Sequence, residues 1–245
     1  MILANLARAV REQNYYAVFI EFVIVIAGVV IGFQISGWQA DRALARQEAQ
    51  IVQRLIGDFR SLAESGDFQV EYHARNLRSM DAVLAALNAG EIAEDQETLF
   101  VDGLTFAYQH ASALQASATF REIVSNGQLG LIDDEAVRAA VMGYHERLED
   151  SDDTFLHIRL MQTLYVVAYN RHFRWDPSPH PTSDWRRVES FDFDTMLADP
   201  EFYDAAEELR EFQRFYYAWH VGTRERAQQT LELLEAYAAS HGIAS

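Results

Sequence analysis

From Tyr15 to Trp38 the chain reads YYAVFIEFVIVIAGVVIGFQISGW, an apolar run broken only by Glu21, Gln34 and Ser36. About 20 mostly apolar helical residues cross a bilayer core. Tyr15, Tyr16 and Trp38 bracket the run as an aromatic belt does, since their rings suit the headgroup zone. The run outlasts the apolar part of a cleaved leader, about 7–15 residues. It is also apolar on every face, unlike the helices of most soluble bundles. The pattern predicts a signal anchor.

After Trp38 the pattern becomes one-sided. Leu44, Ile51, Leu55, Phe59 and Leu62 recur at helical steps, and Leu77, Met80, Leu84 and Leu87 resume them before a stop at Gly90. Ser65-Gly66-Asp67 lies between the two sets, so residues 39–89 form one stalk-like helix or two collinear ones. Such a segment is a core helix of a bundle or a dimeric coiled coil continuing the anchor. Further helices are expected over Thr98–Ala113, over FREIVSN with Thr119 as cap and Gly127 as stop, and from Asp133-Asp134 to about residue 172. Val137, Val141, Tyr144, Leu148, Phe155, Met161, Leu164 and Ala168 carry that last pattern. QLGLI between them reads as an extended link. Asp199-Pro200 opens a final helix that runs to Gly242 and bends at Gly222. Alternating strands are absent from the pattern.

Charge divides the chain at the same place. Residues 1–38 balance Arg8 and Arg11 against Glu12 and Glu21, so the rest carries the whole net charge of −17. That excess argues against nucleic acid as a general partner, because phosphate contacts need Lys and Arg. All 20 basic residues are Arg, which we read as the habit of a GC-rich genome. No cysteine is present, which excludes disulfides, thiolate nucleophiles and Cys-ligated zinc.

Motifs for catalysis are missing. The eight histidines show neither HExxH nor ExxH spacing. His145 and Glu149, four apart, lack nameable further ligands for a metal. The acidic stretch HERLEDSDD lacks the glycine of a calcium loop and reads as a solvated helix face. Neither a GxSxG elbow nor a phosphate-cradling glycine loop occurs.

Two features are better suited to contact. In the anchor, Gly28 and Gly32 form a GxxxG step that lets helices approach closely. Glu21 near one end either reaches the headgroups or meets a partner helix, and Gln34 is a second polar group in the span. In the domain, residues 169–187 hold Pro177, Pro179 and Pro181 and so form a loop. Arg171, Arg174, Arg186 and Arg187 outnumber Asp176 and Asp184 there, with Trp175 and Trp185 interleaved. Arg and Trp dominate binding hot spots and also suit anionic headgroups. The plainer reading caps the bundle end, its arginines paired with the protein's own acids. Phe212, Phe215, Tyr216 and Trp219 share a helical face and read as core.

The segment EFVIVIAGVVIGFQISGW (Glu21–Trp38), with its Gln34-Ile35-x-x-Trp38 exit, resembles the opening of a family of uncharacterised bacterial single-pass membrane proteins. TFREIVSNGQLGLIDDEAVRAAVMGY (Thr119–Tyr144) resembles the same family. The resemblance implies an anchor followed by an all-helical domain and lends no active site.

The sequence therefore predicts an all-α protein with a tail over 1–14, a transmembrane helix over 15–38 and an acidic antiparallel bundle over 39–245. The expectation is a non-enzymatic protein without metal or cofactor. It would meet a lipid bilayer and a protein partner, as an accessory subunit of a larger membrane complex or through self-association of the transmembrane helix. The alternative is an extracytoplasmic bundle that binds a small ligand. The expected location is a bacterial inner membrane, with the amino terminus cytoplasmic and the large domain periplasmic.

Overall fold

The computed structural model describes residues 15–110, 116–177 and 187–243. Among these, helices α1 (Tyr15–Ala89), α2 (Glu97–Phe106), α3 (Ala118–Ser125), α4 (Glu135–Tyr169), α5 (Phe193–Ala198) and α6 (Pro200–Ser240) dominate. Two short strands, β1 (Phe173–Trp175) and β2 (Val188–Phe191), pair antiparallel between α4 and α5. The fold class is all-α. Contacts divide the chain into two units after Ile51. The tail over 1–14 lies outside the described residues.

In the first unit α1 stands without side-chain cover. Phe22, Ile24, Ile31 and Phe33 are all exposed, Phe33 at 76%, and none of the apolar stretch is buried. This is one helix long and apolar enough to cross a membrane. At its polar end the Arg42 guanidinium lies 3.7 Å from the centre of the Trp38 ring.

The second unit is built on three long helices. Along α6, Glu235, Arg224, Gln213, Arg210 and Tyr203 meet Arg60, Asp67, His73, Asp81 and Asn88 of α1 in turn. The numbers fall on one helix as they rise on the other, so the pair is antiparallel. Thr223, Trp219 and Phe202 meet Arg147, Phe155 and Tyr169 of α4 in the same sense. Thus α6 runs against both α1 and α4. The core cluster gathers Met80, Val83, Phe100, Leu104, Tyr169 and Phe202. Burying such side chains stabilises by about 1.5–3 kcal/mol each before entropy is charged.

Local signals set the helix ends. Asp134 accepts from the Val137 N–H at 3.0 Å, and Asp199 accepts from the Glu201 N–H at 2.9 Å with Pro200 at the first turn. Gly127 ends α3 at φ 66° and Gly242 ends α6 at φ 64°, the left-handed region that only glycine enters freely.

Several expectations need correction. Ser65-Gly66-Asp67 does not interrupt α1. A Cβ on Gly66 would sit 2.8 Å from Cγ of Arg224, so this glycine marks close passage of α6 and not a break. The helix opened by Asp199-Pro200 runs through Gly222 to Ser240, as expected. The helix expected over Thr98–Ala113 ends at Phe106, and residues 111–115 lie outside the described set. Ser117, not Thr119, caps α3 through the Phe120 N–H, because the Thr119 N–H donates to Asp58. QLGLI is not extended; Gln128–Leu131 forms a 3₁₀ turn. Leu44 and Leu164, read as helix-face residues, are 50% and 65% exposed.

Gly103 gives the sharpest packing test. A Cβ there would lie 2.5 Å from Val83 Cγ2 and 2.6 Å from the Ser79 carbonyl oxygen. The backbone of α1 cannot yield as a flexible side chain would. Gly103→Ala should cost about 1–3 kcal/mol, read as a lowered Tm of the full chain in detergent; an unchanged Tm would refute this packing.

Candidate functional site

The predicted contact residues separate when placed in the fold. Within the anchor, Glu21 is half-buried and Gln34 is exposed. A Cβ on Gly28 or Gly32 would meet nothing within 4 Å, so that strip of α1 is bare. In the Arg/Trp loop, Arg171 pairs with Asp199 at 3.3 Å and with Glu201 at 2.9 Å, using the protein's own acids. Trp175 folds in against Phe173, ring centres 5.3 Å apart. Arg174 and Arg187 are exposed, with the Arg187 carbonyl accepting from the Asp176 N–H at 2.8 Å. Trp185 and Arg186 lie outside the described residues, as do Pro179 and Pro181. The segment is thus partly a strand pair, Phe173 opposite Phe191 and Trp175 opposite Val188. Three or four residues per strand are too few to alternate legibly.

A larger surface feature lies beside it on α4. Leu156, Leu160, Leu164 and Val167 are 50%, 58%, 65% and 74% exposed. Their spacing of four, four and three puts them on one helical face. Asp153 precedes the row by three residues and is exposed, whereas Arg171, in the 3₁₀ turn that follows α4, is turned to Asp199 and Glu201. One face of α4 therefore runs from an acid into about 17 Å of apolar surface. The signal was present in the sequence: residues 155–168 hold more apolar side chains than one buried face can take.

Inside the second unit, polar groups cross the core. Gln213 is wholly buried, and its Nε2 donates to the carbonyls of Ala107 at 2.9 Å and Gln109 at 2.8 Å, with Phe106 at 3.4 Å. These carbonyls follow the end of α2, where no intrahelical donor reaches. The amide oxygen therefore faces His73, whose Nδ1–H donates to it at 3.1 Å. The His73 ring stacks on His220 at 4.8 Å and 12°. His145 stacks on Phe120 elsewhere in the same unit. Neither ring nitrogen of His145 or His220 has a hydrogen-bond partner among the described residues.

Burial sets the chemistry of these rings. It pushes His73 down to about 4, with the Gln213 hydrogen bond opposing, and His145 down to about 4. His220 falls to about 3, burial first and the His73 charge second. All three are neutral imidazoles near neutral pH. Glu149 is exposed while His145 is buried, so that pair does not converge. Among the described residues no three His, Cys, Asp or Glu side chains gather around a metal-sized point. The aromatic face of α6 is rotated from the expected one: Tyr216 and Trp219 are buried, Phe212 is half-buried, and Phe215 is 37% exposed.

No family model, curated protein or solved structure matches the chain.

The buried imidazoles give a pH prediction. Their folded values lie below the ordinary value of about 6.5. As pH falls past that value the unfolded chain gains protons that the folded bundle refuses, so stability is lost until the folded values of about 4 and 3 are reached. Each pKa unit is worth about 1.4 kcal/mol. The Tm in detergent should fall between pH 6.5 and 4, and His220→Phe should flatten that fall. A pH-independent Tm, or an unchanged slope in the variant, would count against neutral burial.

Proposed function

We propose that this is a non-enzymatic single-pass membrane protein whose acidic helical domain docks a helix of another membrane protein. The observation that carries this reading is the apolar row Leu156, Leu160, Leu164 and Val167, four exposed large side chains that recur along one face of α4. An exposed row of this kind marks an interaction surface more often than a solvated face. The charge pattern supports a particular occupant. Asp153 at one end suits a helix with an apolar ridge and a base beside it. Copies of this chain aligned in the same direction would set Asp153 on Asp153, and copies aligned antiparallel would set it against Arg171, which Asp199 and Glu201 already hold. The pattern therefore favours a different chain.

The contact is small for a freely diffusing complex, since stable interfaces cover about 800 Å² on each partner. Anchoring both proteins in one bilayer raises their effective concentration and lets a short helix face suffice. On this reading the protein is an accessory subunit of a bacterial inner-membrane complex, its amino-terminal tail cytoplasmic and its domain periplasmic. Gly28 and Gly32 leave α1 a bare strip for a second contact within the bilayer.

The test places a photo-crosslinking residue at Leu160 in native membranes, with Glu207 as the exposed control. The expected result is one adduct of defined mass from position 160 and none from 207. That adduct should be lost in Asp153→Arg, because the acid sets the register, and in Leu164→Asp, because the row supplies the contact. An adduct of twice the chain's own mass, no adduct, or an adduct indifferent to both substitutions would overturn the reading.

Orientation is checked separately. The chain has no cysteine, so Ser240→Cys should be labelled by a membrane-impermeant maleimide in intact spheroplasts. Labelling only after lysis would place the domain in the cytoplasm.

A further inference from the structure

Between α4 and α6 lies a surface groove of about 450 Å³ that the docking face does not use. Phe155 and Trp219 form apolar wall, and Glu146, Arg147, Asp150 and Arg226 supply charge. The volume falls within the range of small-molecule sites, about 300–1,000 Å³.

Arg147 is held in place for this groove. Its Nε donates to Thr223 Oγ1 at 3.3 Å, and Thr223 is wholly buried. Its guanidinium carbon lies 5.9 Å from the centre of the Trp219 ring. Gly222 makes the room: a Cβ there would stand 3.1 Å from Arg147 Nη2. An arginine that would otherwise sweep through solvent is thus laid across α6, its terminal nitrogens uncommitted among the described residues. Arg226 lines the same groove, and burial and then its charge lower the Arg147 pKa.

The bundle's other cross-helix arginines answer to acids: Arg60 to Glu235, Arg210 to Asp81 and Arg224 to Asp67. Arg147 and Arg226 form no ion pair among the described residues, although Glu146 and Asp150 line the same groove. Two like charges close together repel, and a carboxylate placed between them relieves that repulsion with charge-assisted hydrogen bonds. A plain anion would then lie near two acids. A ligand with its own ammonium group turns those acids into partners.

We infer that this groove binds a free α-amino acid with an aromatic side chain. The carboxylate lies between Arg147 and Arg226, the ammonium faces Glu146 and Asp150, and the ring lies against Phe155 and Trp219. The chemistry is recognition alone; no bond is made or broken. The site makes the domain a ligand receiver as well as a docking module, and it does not depend on the partner helix.

The test is calorimetry on the full chain in detergent with three probes: L-phenylalanine, 3-phenylpropionate lacking the ammonium, and phenethylamine lacking the carboxylate. L-phenylalanine should bind saturably, and each truncated probe should bind at least about tenfold more weakly, as loss of a charged contact entails. Arg147→Gln should weaken L-phenylalanine by a similar factor, the variant still unfolding in one cooperative transition. Gly222→Leu, which fills the space under the guanidinium, should do the same if it folds, and Arg147→Gln carries the test if it does not. No binding of L-phenylalanine up to about 10 mM would overturn the site. Equal binding of either truncated probe, or binding indifferent to Arg147→Gln, would overturn the assignment equally.

Discussion

A single buried amide joins three helices. Gln213 on α6 donates to the carbonyls that follow α2 and accepts from His73 on α1, at distances of 2.8–3.1 Å for its three shortest bonds. In a desolvated core each of these groups would be costly alone, because an unpaired buried polar atom forfeits about 1–3 kcal/mol. Paired, they fix registry as apolar contacts cannot, since apolar packing tolerates sliding and a hydrogen bond does not. This one side chain ties the end of α2 to His73 on α1, while burial, against the pull of that hydrogen bond, keeps the His73 ring neutral.

From that clasp α6 extends as the spine of the second unit. It runs against α1 along one side and α4 along the other, so each surface of α4 left free faces solvent. The surface ion pairs along these seams are mostly exposed, and such pairs contribute about 0–1 kcal/mol apiece. Their larger effect is on the field around an acidic domain. Most cross-helix arginines are spent on the domain's own carboxylates, which makes uncommitted cations such as Arg147 informative. The exposed row on α4 is informative for its continuity, four large apolar side chains on one helix face.

The helix ends were the most legible part of the sequence. Asp134, Asp199-Pro200, Gly127 and Gly242 act within one turn of chain, and their side chains or φ angles need no distant partner. The apolar run before residue 39 was equally plain, because covering a helix on all sides with apolar residues has few physical uses. What escaped was set by distant contact. Gly66 looks like a break in isolation and Gly222 like a bend, yet each makes room for an arginine on another helix, Arg224 and Arg147. Gln213 carried no signal: a glutamine beside aromatic residues looks like surface until the carbonyls beyond α2 arrive beneath it. The two strands failed to register because they close a loop and have no core face of their own. Of the loop residues expected to bind, Arg171 answers acids within the domain and Trp175 packs inward, and the stronger surface lies one element earlier.

A docking face on α4 would be shielded wherever its partner is present. Hydrogen exchange followed by mass spectrometry compares the full chain in native-membrane patches with the same chain purified alone in detergent. Docking predicts slower exchange over residues 153–171 in the membrane, with α6 beyond Leu209 unchanged. Identical exchange over 153–171 in both states would contradict it.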